Sequence, residues 1–286
     1  MTNLAIKYLL DDINHKECDC FYELISNLAY QSMLVIGYLE CKPGYVNDDW
    51  DLYDDLSNNK EKIKKYTELL SRFIIEGQAC KYKNPEELIS SFFEKWDSEE
   101  IHLNITNSTI FFTIMVLSLL CFNIGYISEN DTDVTTYKII NLLKSLLLSK
   151  ETNISKQHFY HNGNINNVMF DFFFSDIEKN VESICDLYKN SMNRGSSVEY
   201  SLLCVLVSIF RTNKRYRDLF DKNTVETLDS IGYLSEIKNN LKTQEKIEEA
   251  LIDIESKFND ELDTTEYVIL LTITWFFNQV DNISLH

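Results

Sequence analysis

Apolar residues recur at spacings of three and four along most of the chain. The clearest series is Ile247, Leu251, Ile254 and Phe258. This spacing places apolar side chains on one face of an α-helix, and the alternation typical of a half-buried strand is absent. The pattern predicts helices at residues 17–40, 58–79, 85–96, 106–127, 133–149, 167–192, 197–211, 214–221, 224–258 (broken near 240–243) and 264–280.

Local sequence features mark several helix ends. In "NPEEL", Asn84 is expected to cap a helix that begins at Pro85. Ser196 and Glu199 have the spacing of a capping box at the start of another helix. Just before them, Gly195 can adopt the left-handed conformation that ends a helix.

One predicted helix is apolar on every side. No charged residue occurs from Leu103 to Ser128, a length that would also permit a membrane span. Both flanks are acidic, however, and no cluster of Lys or Arg is present to set an orientation in a membrane. We therefore predict a central buried helix, with an irregular array of helical hairpins packed around it.

The composition supports an all-α fold. The 286 residues include only seven glycines and two prolines, too few for the many tight turns of a sheet protein. The chain is long enough for one large domain, and we expect a single helical domain over residues 1–286. The polar, asparagine-rich stretch 149–167 is the best candidate for a subdomain break.

The net charge of −18 narrows the choice of partner. Nucleic acid is disfavoured, because binding phosphates requires a positive surface, and anionic membranes are disfavoured for the same reason. Either the charge keeps the protein soluble or it forms a surface for a cationic partner. The seven cysteines are scattered without a CxxC pair, Cys18-x-Cys20 is a weak metal motif, and no secretory signal is visible, so we expect a cytoplasmic protein.

The segment "NDDWDLYDDL" combines five aspartates with two aromatic residues. A solvated loop would explain the aspartates alone. Tryptophan and tyrosine, however, are typical anchors of protein interfaces, and surrounding carboxylates would attract Lys and Arg side chains. We therefore predict that a partner binds Asp48, Asp49, Trp50, Asp51, Tyr53, Asp54 and Asp55.

A second acidic region lies towards the C-terminus, where Gln244–Glu266 holds nine acidic residues and two lysines. One interpretation is a solvated helix face. The other is a secondary partner-binding surface formed by Glu245, Glu248, Glu249, Asp253 and Glu255.

A short basic run stands out within this acidic chain. It comprises Arg211, Lys214, Arg215 and Arg217. Cations at a helix C-terminus offset the helix dipole, which is one interpretation. The alternative is an internal clamp that pairs with neighbouring acidic helices.

The aspartate cluster Asp48–Asp55 also allows a second hypothesis, a metal-dependent helical enzyme, because hard cations prefer carboxylate ligands. Its spacing resembles the aspartate motif of class I terpene synthases, but Asn130–Lys138 lacks the Glu that would complete their second motif. Glu99-x-x-His102 is half of a di-iron site, and His158 and His161 have no cysteine pair nearby. We expect no catalytic residue, no metal and no cofactor.

The hairpins "YTELLSRFIIEG…NPEELISSFFEKW" and "SLLCVLVSIFRTNKRYRDLFD", in an acidic chain rich in asparagine, resemble the all-α immunity proteins of bacterial polymorphic toxin systems. The resemblance implies a non-enzymatic inhibitor that binds one cognate protein toxin and blocks its active site or substrate path. Many such toxins are basic, which suits an acidic inhibitor. A third hypothesis is a helical-repeat scaffold that binds an extended peptide.

Overall fold

The computed structural model describes residues 21–39, 43, 48–100, 105–130, 134–148, 160–161, 164–165, 177–237, 241–258, 262 and 264–283. These residues form twelve helices: α1 (Phe21–Gly37), α2 (Asp48–Asn58), α3 (Lys60–Ala79), α4 (Pro85–Ser98), α5 (Ser108–Asn130), α6 (Thr136–Leu148), α7 (Ile177–Asn193), α8 (Val198–Thr212), α9 (Lys214–Leu219), α10 (Lys222–Ile237), α11 (Leu241–Phe258) and α12 (Thr264–Ile283). Two short strands, β1 (Tyr160–His161) and β2 (Asn164–Ile165), pair antiparallel between α6 and α7. The predicted all-α class is confirmed.

Helix α2 is the main departure from the predicted elements, because no helix was expected between residues 40 and 58. Its aspartates obscure an apolar spacing of three, in which Tyr53 and Leu56 are both buried. Asp48 and Asp49 occupy the first turn, where negative charge is favourable to the helix dipole. Short apolar spacing and a favourable N-terminus therefore suffice for a helix once the core covers its inner face.

Two of the predicted helix ends are confirmed and one is shifted. The Asn84 side chain accepts a hydrogen bond from the Glu87 amide at 3.0 Å, and Glu87 accepts one from the Asn84 amide at 3.1 Å. Gly195 has a φ of 82° and ends α7. At the start of α8, Ser197 rather than Ser196 is the cap, since it accepts from the Tyr200 amide at 3.1 Å.

Helix α5 is apolar on every side because the other helices surround it. It packs against α1, α3, α4, α6 and α12, and 94% of its most apolar 18-residue window is buried. Among the described helices it alone is long and apolar enough to cross a membrane, by length and composition. The structure places it at the centre of the helical core, as the sequence predicted.

Helices α3 and α5 meet at two glycines. A side chain at Gly77 would overlap the carbonyl oxygen of Phe122, and one at Gly125 would overlap the carbonyl oxygen of Ile74. The missing side chains let the two backbones approach each other, as glycine permits at close helix crossings.

Helix α12 packs against α1, α5 and α7. Near its end, Asp281 accepts hydrogen bonds from the Thr136 amide at 2.9 Å and from its hydroxyl at 2.6 Å, and it pairs with Lys189. Burial opposes the charge, but the bonds from Lys189 and Thr136 hold the pKa of Asp281 below its ordinary value. The buried apolar side chains form one cluster that extends from Ile25 to Val280.

Several residues named in the sequence analysis lie outside the part of the chain that the structure describes. Cys18, Cys20, His102, His158 and most of the break at 149–167 lie outside the described residues. Four cysteines are described, and they are buried and form no disulfide bond with a described residue: Cys80, Cys121, Cys185 and Cys204. Cys121, Cys185 and Cys204 occur in apolar helical runs and are buried there, as expected. The thiols of Cys185 and Cys204 also form hydrogen bonds, with Thr274 and Tyr200 respectively.

Candidate functional site

The tyrosine of the predicted binding segment faces the core. Tyr53 is 0% exposed, and its ring lies against the backbone of Gly37 in α1, where any larger residue would overlap it. A side chain without accessible surface cannot anchor a partner, so the expected role of Tyr53 is wrong. The room for this ring is provided by a glycine on another helix, which the local sequence does not reveal.

Asp54 is exposed but is already bound within the chain. The Tyr38 hydroxyl donates to its carboxylate at 2.7 Å and also shares a hydrogen bond with the Ser57 hydroxyl at 2.7 Å. Burial raises the pKa of Tyr38 to about 12, so this hydroxyl keeps its proton at neutral pH. The interaction links the residue that follows α1 to α2.

Asp55 is likewise engaged, in this case by the following helix. It pairs with Lys62 of α3 and accepts a hydrogen bond from the side-chain amide of Asn59 at 3.4 Å. The hydrogen bond from Lys62 holds the pKa of Asp55 below its ordinary value. Asp54 and Asp55 therefore connect α2 to its neighbours in the chain.

The remaining predicted residues of this segment are Asp48, Asp49, Trp50 and Asp51. They lie in the first turn of α2, and their side chains are outside the described part of the structure. Their role in binding stays a prediction.

No group of three or more His, Cys, Asp or Glu side chains that could hold a metal ion occurs among the described residues. Glu99, from the half motif for a di-iron site, instead contacts Arg72 at 2.8 Å and Lys95 at 2.9 Å. Although burial opposes its charge, these two cations hold the pKa of Glu99 below its ordinary value. Its carboxylate balances local positive charge.

The basic run has features of both of its interpretations: Arg211 lies in the last turn of α8, and Arg215 and Arg217 pair with acidic residues of other helices. Arg217 donates to the carbonyl oxygen of Arg211 at 2.8 Å, near the end of α8, and to Asp229 of α10 at 3.0 Å. Arg215 contacts Glu266 of α12 at 3.2 Å, and the Glu266 side chain is only 1% exposed. These contacts hold α8, α9, α10 and α12 together.

Helix α11 displays the secondary set of predicted residues on its surface. Glu245, Glu249, Asp253 and Glu255 are exposed and Glu248 is half-buried. The apolar series Ile247, Leu251 and Ile254 is buried on the opposite side. The helix therefore has an apolar inner face and an acidic outer face, as its periodicity predicted.

An isoleucine lies within this acidic surface. Ile252 is 57% exposed, and the residues one helical turn away from it include Glu248, Glu249 and Glu255. The sequence reasoning did not single it out. Its position outside the buried apolar series is visible in the sequence and would have identified it.

The carboxylates of α11 differ in whether they already interact with another side chain of the protein. Glu248 accepts a hydrogen bond from Gln244 at 2.9 Å, and Asp253 pairs with Lys257 at 2.7 Å. Glu245, Glu249 and Glu255 make no hydrogen bond or ion pair with any described residue. We call the outer surface of α11 the acidic face: Glu245, Glu248, Glu249, Ile252, Asp253 and Glu255.

Comparison of the whole chain with models of protein families, with curated proteins and with solved structures finds no match. Function must therefore be inferred from the surfaces of this chain itself. Of the two acidic regions, the acidic face is the one whose described carboxylates are largely free to meet a partner.

Proposed function

We propose that the protein is a non-enzymatic inhibitor of the immunity-protein type, which binds a basic protein toxin in the cytoplasm and neutralises it. The observation that carries this proposal is Ile252, an exposed apolar side chain surrounded by carboxylates on α11. An apolar centre with a polar rim is the usual anatomy of a protein interface.

The apolar centre would supply affinity. Burying a whole isoleucine side chain contributes about 1.5–3 kcal/mol, and Ile252 retains 57% of its exposure. Covering it would therefore contribute about 1–2 kcal/mol to a complex. Single exposed apolar residues are common on protein surfaces, so Ile252 alone would not indicate an interface. It does so here because charged residues surround it.

The carboxylates would supply selectivity and speed. Glu245, Glu249 and Glu255 are exposed and unpaired among the described residues, so approaching Lys or Arg side chains need not displace an existing ion pair. Charge of one sign on one partner raises the association rate of an oppositely charged protein. The same charge repels nucleic acid, which makes a basic protein the appropriate class of partner.

The test uses the protein encoded beside the gene for this chain. That neighbour is expressed in a bacterial host, alone and together with the chain. We expect the neighbour to stop growth and the chain to restore it. The two proteins should also elute together in size-exclusion chromatography.

The variant Glu249→Lys/Glu255→Lys should lose protection, because it reverses charge on both sides of Ile252. The matched control is Glu94→Lys/Asp186→Lys, which changes the net charge equally at exposed residues of α4 and α7. The control should protect like the wild type. Failure of the wild-type chain to restore growth or to form a complex would reject the proposed function.

A further inference from the structure

A groove of about 660 Å³ lies between α10 and α11, beside the acidic face. On α11 its lining residues Lys246, Glu249, Ala250 and Asp253 are spaced over two turns. On α10 the lining extends from Asn223 to Ile231, also about two turns, so the groove is roughly 11 Å long.

The floor of the groove is apolar, and its edges carry charged side chains. Ile231 and Ala250 are nearly buried and form its floor. Glu226 stands on the α10 side, and Glu249 and Asp253 stand on the α11 side. Lys246 is the only cation among the described lining residues.

Of the three carboxylates at the edges, Asp253 pairs with Lys257 at 2.7 Å, and the other two have weaker interactions or none within the described residues. Glu226 contacts Lys222 at 3.6 Å, but both side chains are strongly exposed, so water and salt screen the pair. Glu249 makes no hydrogen bond or ion pair with any described residue. An arginine or lysine that enters the groove would meet carboxylates on both sides.

We infer that this groove receives a cationic amphipathic helix of the partner protein, with Lys or Arg side chains between its two walls. The inference rests on the proposed function and specifies where the toxin docks. Two packed helices with an apolar floor accept a third helix along their length. Charge complementarity selects a positively charged one, since guanidinium groups form strong paired hydrogen bonds with carboxylates.

The test uses a labelled synthetic peptide as the probe. The peptide is an alanine-based helix with arginine at positions i, i+4 and i+7, and its control carries citrulline, a neutral isostere, at the same positions. Fluorescence anisotropy with the full-length chain measures the affinity for each. We expect the citrulline peptide to bind at least about tenfold more weakly.

The groove variant Glu226→Gln/Glu249→Gln/Asp253→Asn removes three charges with little change of shape. The matched variant Glu86→Gln/Glu94→Gln/Asp186→Asn removes three charges from exposed positions outside both the groove lining and the acidic face. We expect the groove variant to lose at least about tenfold in affinity and the matched variant less than about threefold. Circular dichroism establishes that both remain folded.

Methyl NMR locates the peptide, because one isoleucine lies in the groove floor and another outside it. Binding should shift the methyl resonance of Ile231 more than that of Ile252. Equal losses in the two triple variants, a shift at Ile252 alone, or no binding of the arginine peptide would overturn the inference. The growth assay decides the proposed function independently, so an inhibitor that docks elsewhere would still protect cells.

Discussion

Helices α2 and α11 are both rich in acidic residues, but their described carboxylates have different surroundings. On α2, Asp54 is bound by Tyr38 and Asp55 is bound by Lys62. The inner face of the same helix contains the fully buried Tyr53. On α11, exposed glutamates remain unpaired among the described residues around an exposed isoleucine. Acidic composition therefore identifies a candidate surface, and the neighbouring elements decide whether that surface is available.

The largest expected effect contrasts Tyr53 of α2 with Ile252 of α11. Tyr53→Ala should lower the free energy of unfolding by about 3–5 kcal/mol, because it empties a fully buried site in the core. Ile252→Ala should change it by less than about 0.5 kcal/mol, as is usual for an exposed residue. Urea unfolding monitored by circular dichroism measures both. Similar losses in the two variants would contradict the contrast.

A second variant tests why Tyr53 is buried. Gly37→Ala should destabilise the protein by about 1–3 kcal/mol, because the added methyl group overlaps the Tyr53 ring. In a Tyr53→Ala background the same substitution should be neutral or stabilising, since alanine is the better helix former. A double-mutant cycle in urea measures the coupling. Independent effects of the two changes would show that Gly37 does not make room for the ring.

A smaller effect is expected from the hydrogen bonds of α2. Tyr38→Phe removes the donor to Asp54 and the contact with Ser57, and should cost about 1 kcal/mol. Glu249→Gln on α11 removes no described contact and should leave the unfolding midpoint unchanged. If Tyr38→Phe also left the unfolding midpoint unchanged, the carboxylates of α2 would be as available to a partner as those of α11.

The smallest effect concerns pH. The pKa of Asp55 is below its ordinary value, chiefly because of the hydrogen bond from Lys62. Its charge therefore stabilises the fold at pH values above the ordinary pKa, and this contribution disappears as the pH falls through the lowered value. The difference in urea midpoint between the wild type and Asp55→Asn should shrink between about pH 6 and pH 3. A difference that is constant over this range would contradict the ion pair.

The helices with regular apolar spacing, such as α11, and the uniformly apolar α5 were predictable from the sequence. Helix α2 was missed because its apolar positions are separated by aspartates, and its burial depends on contacts with α1. Pairs distant in sequence, such as Arg215 with Glu266, were foreseen only as a general clamp, since periodicity does not specify which helices meet.

The candidate site was predicted in part. The exposure of Glu245, Glu249 and Glu255 follows directly from the helical period of α11, and the same period identifies Ile252 as lying outside the buried series. The direction of Tyr53 could not be predicted in this way. It depends on the absence of a side chain at Gly37, sixteen residues earlier in the chain.

Hydrogen–deuterium exchange of the complex with the neighbouring gene product tests the central claim most directly, because it reports on α2 and α11 in one experiment. Amides of α10 and α11 should exchange more slowly in the complex than in the free protein, while those of residues 48–58 should be unchanged. Slower exchange at residues 48–58, with no change in α11, would contradict the assignment of the binding surface to the acidic face.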